Sequence, residues 1–297
     1  MMMDQAKRLR ELMQHRAKTQ PPQEPQKSTM NARVIAIASG KGGVGKSNFA
    51  TNLAIQIRKL NKRVVILDAD FGLSNVEILM GISPKHNVLD VLNGKVSMAD
   101  ALTPGPMGSM VLSGGVGMSV LPDMTDSQLL RLIDGFMQLD DLTDFIIVDT
   151  RAGVSNVVIN FIKAAEDSII VTTPDPTAIA DAYALIKSVR ASIPDIEQLK
   201  LVVNCAVDKN EVTEVYEKLN GVSKRFLNIQ LVLLGGIQYD SSLVKAVRKQ
   251  KPVSLMYPYA ESSARFEEIC AKLLEMKVEK KSSIQNFVLK LVGKFGT

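Results

Sequence analysis

The sequence predicts a doubly wound α/β fold in three layers, a mostly parallel sheet with helices on both faces. Three observations carry that reading. Short apolar runs recur along the chain, and most are separated by stretches of helical periodicity, the alternation from which parallel sheets are built. The runs are apolar at nearly every position, as strands covered on both faces are. The first of them, at 33–38, ends in a glycine-rich turn that opens into a helix.

In chain order, the apolar runs predict strands at 33–38, 63–67, 119–121, 145–148, 168–171, 199–203 and 231–234. Helical spacing predicts helices at 46–60, 127–138, 154–165, 178–191, 212–225, 241–250 and 262–272. The Gly/Pro-rich stretch 103–117 reads as a surface segment of hairpin type and is given no chemistry. Ahead of the first strand, residues 3–18 are expected to form a short amphipathic helix, with Ala6, Leu9 and Met13 at helical spacing. Residues 19–29 hold three prolines and almost no apolar side chain, so they read as a flexible linker. The organisation expected is therefore a helix at 1–18, a linker at 19–30, a compact domain at 31–276 and a separate tail at 277–297.

Composition narrows the function classes. Of 297 residues, 46% are hydrophobic and 23% charged, the balance of an ordinary globular chain and not of a disordered one. No run approaches the ~18 apolar residues of a membrane-spanning helix. The first twenty residues are charged throughout and lack the apolar centre of a signal peptide. Cys205 and Cys270 lie far apart, and the histidines are His15 and His86 alone. The cysteines cannot form a disulfide framework or, unaided, a zinc site, two histidines argue against a histidine-based metal centre, and the compartment expected is the cytoplasm. The net charge of +5 is unevenly placed: 1–29 carries +3 and 277–297 carries +4, which leaves −2 for the body at 30–276. Basic tails on a slightly acidic body point to a partner or an anionic surface, and nucleic acid is an unlikely partner for the body.

One motif carries the chemistry. Gly40-Lys41-Gly42-Gly43-Val44-Gly45-Lys46-Ser47 satisfies G-x-x-x-x-G-K-[ST], after a predicted strand and before a predicted helix, as a P-loop requires. Its glycines let backbone N–H groups turn inward around phosphate oxygens, and the helix N-terminus adds partial positive charge. Lys46 reaches the β- and γ-phosphates, Ser47 is a Mg²⁺ ligand, and Asn48 joins the nucleotide-binding set in the first helical turn. Asp68 and Asp70 follow the second strand, at the sheet edge outside which ligands of doubly wound folds bind. Phe145-Ile146-Ile147-Val148-Asp149 is an apolar strand ending in an acid. That is a Walker B pattern, in which Asp149 binds Mg²⁺ through water. The fold expected is thus that of a P-loop NTPase, with ATP or ADP and Mg²⁺ bound.

The second lysine of the loop, Lys41, makes KGGVGKS similar to the deviant Walker A motif of the MinD/ParA/Mrp/NifH group of ATPases. That resemblance implies slow regulatory hydrolysis of ATP to ADP and phosphate. It also implies an ATP-dependent homodimer in which Lys41 crosses the interface to the partner's phosphates. Residues 68–75 (DADFGLSN) resemble the D-x-D-x-G-L-x-N switch I motif of MinD-like proteins. On that match Asp70 orients the attacking water and Asp68 helps to hold the Mg²⁺ hydration shell. Residues 150–153 (TRAG) fill the switch II position. The group usually has a small residue or proline where Arg151 stands. A long cation there either alters hydrolysis or coupling or is a local variation facing solvent. The group also implies an adenine contact from Asn204, with Ile237-Gln238-Tyr239-Asp240 as a second wall of the base pocket.

The tails narrow the resemblance. Ile284, Phe287, Val288, Leu291, Val292 and Phe295 share one helical face, with Lys290 and Lys294 away from it. Such a helix either docks on the body or lies in the plane of an anionic membrane, and the comparable tail of MinD-like proteins supports the membrane. At the other end, Asp4-Gln5-Ala6-Lys7-Arg8-Leu9-Arg10 resembles the DQAxxLR motif of the FlhG family (also YlxH or FleN), MinD-like ATPases that set flagellar number and placement. The resemblance implies that Asp4, Gln5, Ala6, Leu9 and Arg10 engage FlhF, a GTPase of the signal-recognition-particle type. It further implies contact with flagellar basal-body components and reversible residence on the inner face of the plasma membrane. The competing expectations are a division-site ATPase of the MinD kind, a DNA-partitioning ATPase of the ParA kind, an iron–sulfur carrier, against which the missing CxxC counts, and a small-molecule kinase, for which no acceptor site is visible.

Overall fold

A computed structural model describes residues 32–70, 75–114 and 125–275. The elements run β1 (Arg33–Ala38), α1 (Lys46–Lys59), β2 (Val64–Ala69), α2 (Asn75–Met80), α3 (Val88–Leu92), α4 (Met98–Ala101), β3 (Leu102–Pro104) and β4 (Met110–Leu112). There follow α5 (Asp126–Leu142), β5 (Phe145–Thr150), α6 (Asn156–Ala164), β6 (Asp167–Thr172), α7 (Pro176–Ser192), β7 (Gln198–Ala206) and α8 (Lys209–Leu227). The last are β8 (Gln230–Gln238), α9 (Ser241–Arg248), α10 (Val253–Met256) and α11 (Glu261–Glu275). The strands form one sheet in the order β3-β4-β2-β5-β1-β6-β7-β8, parallel except for the β3–β4 pair.

The continuous apolar runs are explained by the two cores. Along β1, Val34 and Ala36 enter a cluster with α3, α5 and Phe161 of α6, whereas Ile35 and Ile37 enter the opposite cluster with α1 and α11. A strand that feeds both cores has no polar side to alternate with. On the second face Phe49 of α1 meets Phe266 of α11 with ring centroids 6.1 Å apart. A third cluster packs α7 and α8 on β6, β7 and β8. The amino edge of the sheet is tied by charge. Asp167, almost fully buried, pairs with Arg33 at 2.6 Å and Lys200 at 2.7 Å, and Arg33 also donates to the Leu273 carbonyl of α11. That closes one edge and leaves the carboxyl ends of the strands to the functional loops.

The structure departs from the sequence reading at two places. The stretch 103–117 holds the expected hairpin, β3 and β4 joined through a short 3-10 turn, but it is no mere surface segment: β4 pairs with β2, and Val111 and Leu112 are fully buried. The short helices α2, α3, α4 and α10 escaped the periodicity because each has too few turns to show one. The expected strand at 119–121, the helix and linker at 1–30 and the tail at 277–297 lie outside the described residues. Among the described residues no helix is long and apolar enough to cross a membrane.

Candidate functional site

β1 sits between β5 and β6 in mid-sheet, and the turn after it lies where a doubly wound sheet forms its ligand crevice. The turn enters α1 through Gly45 at φ 87°, with no side-chain cap and no acid in the first helical turn. The amides at this helix end therefore stay open to an anion, and the helix dipole favours one. Two glycines are sterically required. A Cβ on Gly45 would stand 2.2 Å from Asn204 Nδ2, and one on Gly40 would stand 2.1 Å from the Asp181 carbonyl oxygen.

Beneath the loop, Lys46 Nζ donates to Asp149 Oδ1 at 2.7 Å, with 6% of the lysine side chain exposed and none of the aspartate. Asp149 Oδ2 is buried and has no hydrogen-bond partner among the described residues. Burial raises the Asp149 pKa above the usual carboxylate range, although Lys46 and the nearby Ser47 hydroxyl oppose it. Asp68 is pushed up to about 7, first by burial and then by the charge of Asp149. Its two oxygens accept from the backbone amides of Asp70, at 3.1 Å, and Val76, at 3.2 Å, so it ties the end of β2 to the first turn of α2. Asp70 is half-buried at the same edge.

These residues fit Mg²⁺. Asp149 acts electrostatically on Asp68, Asp70 acts on Asp149, Lys46 opposes the charge of both Asp68 and Asp149, and the Asp149 oxygen without a described partner is a ligand for a cation. Among the described residues there is no cluster of three or more acids, histidines or cysteines able to cage a metal. Mg²⁺ needs no such cage, because phosphates and waters complete its octahedron.

The other site candidates are held by neighbouring groups of the same chain. Lys41, expected at phosphates, donates to Asp175 Oδ2 at 2.9 Å and to the Thr177 hydroxyl, at the start of α7. Asn204, expected at adenine, donates from Nδ2 to the Val44 carbonyl at 2.8 Å and so clamps the loop from β7. Asp240 accepts from the Ser242 amide and from both the amide and hydroxyl of Ser262, which caps α9 and holds the start of α11. Asn48 accepts from the Asn52 side chain within α1. Gly42, Gly43 and Val44 lie in the turn as expected, Gly43 at φ 82° and Val44 buried. The partners Asp175, Thr177 and Ser262 were not anticipated. The signal for the first two was the strand-end position of Thr173-Pro174-Asp175-Pro176-Thr177, with Pro176 announcing a helix. The segment 71–74 of the switch I match, the DQAxxLR residues and the apolar tail face lie outside the described residues.

Fold and site together define a P-loop nucleoside triphosphatase. Residues 31–274 match the ParA family, described as the NUBPL iron-transfer P-loop NTPase. The antiactivator FleN of Pseudomonas aeruginosa is 37% identical over 241 residues, 81% of this chain and 86% of FleN. The flagellum site-determining protein YlxH of Helicobacter pylori is 35% identical over 251 residues, 84% of each chain. Among solved structures, a chain of the MinC:MinD cell division protein complex of Aquifex aeolicus superimposes with a TM-score of 0.66 at 25% identity, covering 85% of this chain and 99% of that one. The protein belongs to the ParA/MinD family of P-loop ATPases, within its FlhG (YlxH/FleN) group. An iron-transfer role finds no CxxC here, since the sequence holds Cys205 and Cys270 alone.

Proposed function

We propose that this ATPase is a dimerising switch that regulates flagellar number or placement. The observation that carries the switch is the buried Lys46–Asp149 pair beneath an open helix N-terminus, next to Asp68 and Asp70. Incoming phosphates offer Lys46 more negative charge than one carboxylate does, so they draw it from Asp149. Asp149, once freed, and Asp68 would hold Mg²⁺ through water and the Ser47 hydroxyl would ligate it, and the ion would supply charge neutralisation at the β- and γ-phosphates. Asp70 orients the attacking water, and positioning plus charge neutralisation is most of what phosphoryl transfer needs. Lys41 exchanges its exposed pair with Asp175 for phosphate in a second subunit, and Asn204 keeps the loop in register throughout. Screened surface pairs are weak, so that exchange is cheap. Asn204 and the wall at Ile237–Asp240 border the adenine.

YlxH is named as a flagellum site-determining protein, which supports the same role here. The amphipathic face from Ile284 to Phe295 binds an anionic membrane, and two copies in a dimer bind far more tightly than one. Residues 3–18 act on FlhF from the end of the linker. The test of the flagellar assignment is GTP turnover by FlhF with a peptide of residues 3–18. Stimulation by the wild-type peptide and its loss with Gln5→Ala are expected. No stimulation by the wild-type peptide would remove the FlhF part of the proposal.

A further inference from the structure

Arg151 is the one departure from the switch II pattern that the functional reading leaves unused. Its backbone is pinned against the phosphate loop. The Thr150 hydroxyl donates to the Ile37 carbonyl at 2.9 Å and contacts the Arg151 carbonyl at 3.2 Å. The Gly153 amide donates to the Ser39 carbonyl at 2.9 Å, and a Cβ on Gly42 would lie 4.0 Å from the Ala152 methyl. The Arg151 residue is nevertheless exposed, and its guanidinium makes no hydrogen bond or ion pair with any described residue. Of the two lysines of the phosphate loop, Lys46 is buried against Asp149, and Lys41 makes an exposed pair with Asp175 and Thr177. A fixed backbone under a free, planar, permanently charged fork is the arrangement that serves a phosphate arriving from outside.

We propose that Arg151 is a catalytic cation supplied in trans, its guanidinium contacting the γ-phosphate held by the second copy of this chain. The proposal rests on the ATP-dependent dimer described above. The cradle's own interior is already served by buried Lys46, whereas Arg151 is exposed beside the phosphate loop, where it is open to a second copy. In the reaction the water oxygen bonds to the γ-phosphorus as its bond to the β–γ bridging oxygen breaks. ADP leaves with that electron pair, and the water proton ends on the released phosphate. Arg151 compensates the charge that grows on the bridging and γ-oxygens, as arginines delivered across an interface do in other phosphoryl transferases.

The experiment uses the full chain, light scattering for mass and steady-state ATP turnover. Asp70→Ala and Asp70→Ala/Arg151→Ala are first compared for ATP-dependent dimers. Both are expected to dimerise, and if Asp70→Ala alone does not, the dimer reading itself fails and takes this assignment with it. Arg151→Ala should lower kcat by roughly 100-fold while ATP affinity stays within about twofold, with Arg151→Lys recovering part of the loss. Equimolar Arg151→Ala and Asp70→Ala then decide the direction. Random pairing puts half the dimers in the mixed form, with one competent site each, so turnover should return to about a quarter of wild type. Wild-type or faster turnover by Arg151→Ala overturns the proposal, and so does a loss that mixing does not repair.

Discussion

Asp149→Ala tests the charge logic of the site. The substitution removes the partner of Lys46 from a pair of which 6% and 0% of the side chains are exposed. Breaking one side of a buried pair costs ~3–5 kcal/mol. Two features offset it. Asp149 carries a buried oxygen without a partner, whose removal returns ~1–3 kcal/mol. Asp68 remains close enough to Lys46 for their charges to interact. The net destabilisation expected is ~1–3 kcal/mol, a fall in Tm of roughly 2–12 °C for a domain of this size. Thermal unfolding without nucleotide, with ATP in chelator and with ATP and Mg²⁺ is the assay. ATP alone should restore the Tm of the variant, since phosphate supplies the charge that Lys46 lost. Mg²⁺ should add stability to the wild type and little to the variant, and turnover should fall by at least ~100-fold. An unchanged Tm without nucleotide, or a full Mg²⁺ response in the variant, would refute this reasoning.

Asn204→Ala should weaken ATP binding by roughly 3–10-fold in calorimetric titration, the equivalent of one lost hydrogen bond to the loop carbonyl of Val44. An unaltered affinity would make that clamp dispensable. Lys41→Ala should bind ATP as a monomer with wild-type affinity yet give no ATP-dependent dimer by sedimentation; a surviving dimer would leave Lys41 with only its exposed contacts to Asp175 and Thr177. Removing residues 281–297 should abolish co-sedimentation with anionic liposomes while leaving ATP binding intact. Unchanged co-sedimentation would place the membrane contact elsewhere.

Which parts were legible in the sequence follows from how local their causes are. Buried parallel strands must be apolar on both sides, so β1, β5 and β6 showed within two residues of their ends. The P-loop was legible because one contiguous segment supplies turn, helix and charge. The partners that complete it come from elsewhere: Asp149 lies over a hundred positions from Lys46, and it was legible only through its own strand-end pattern. The pairing of Lys41 with Asp175 joins residues on adjacent strand-end loops, and no sequence period records which loops are adjacent. Asp240 and Asn204 were recognised as strand-end polar residues, but their hydrogen bonds to α11 and to the loop depend on packing. The hairpin of β3 and β4 was legible from its glycines and prolines, but its pairing with β2 was hidden because a three-residue strand gives no apolar run.

The central claim is that ATP holds two copies together until Asp70 directs its hydrolysis. Light scattering of the Asp70→Ala chain, with ADP and then with ATP and Mg²⁺, tests it most directly. A monomer with ADP, a persistent dimer with ATP and nucleotide affinity equal to wild type are expected. A monomer with ATP at full nucleotide occupancy would contradict the dimeric switch, and a loss of ATP affinity would show that Asp70 holds the nucleotide instead of orienting water.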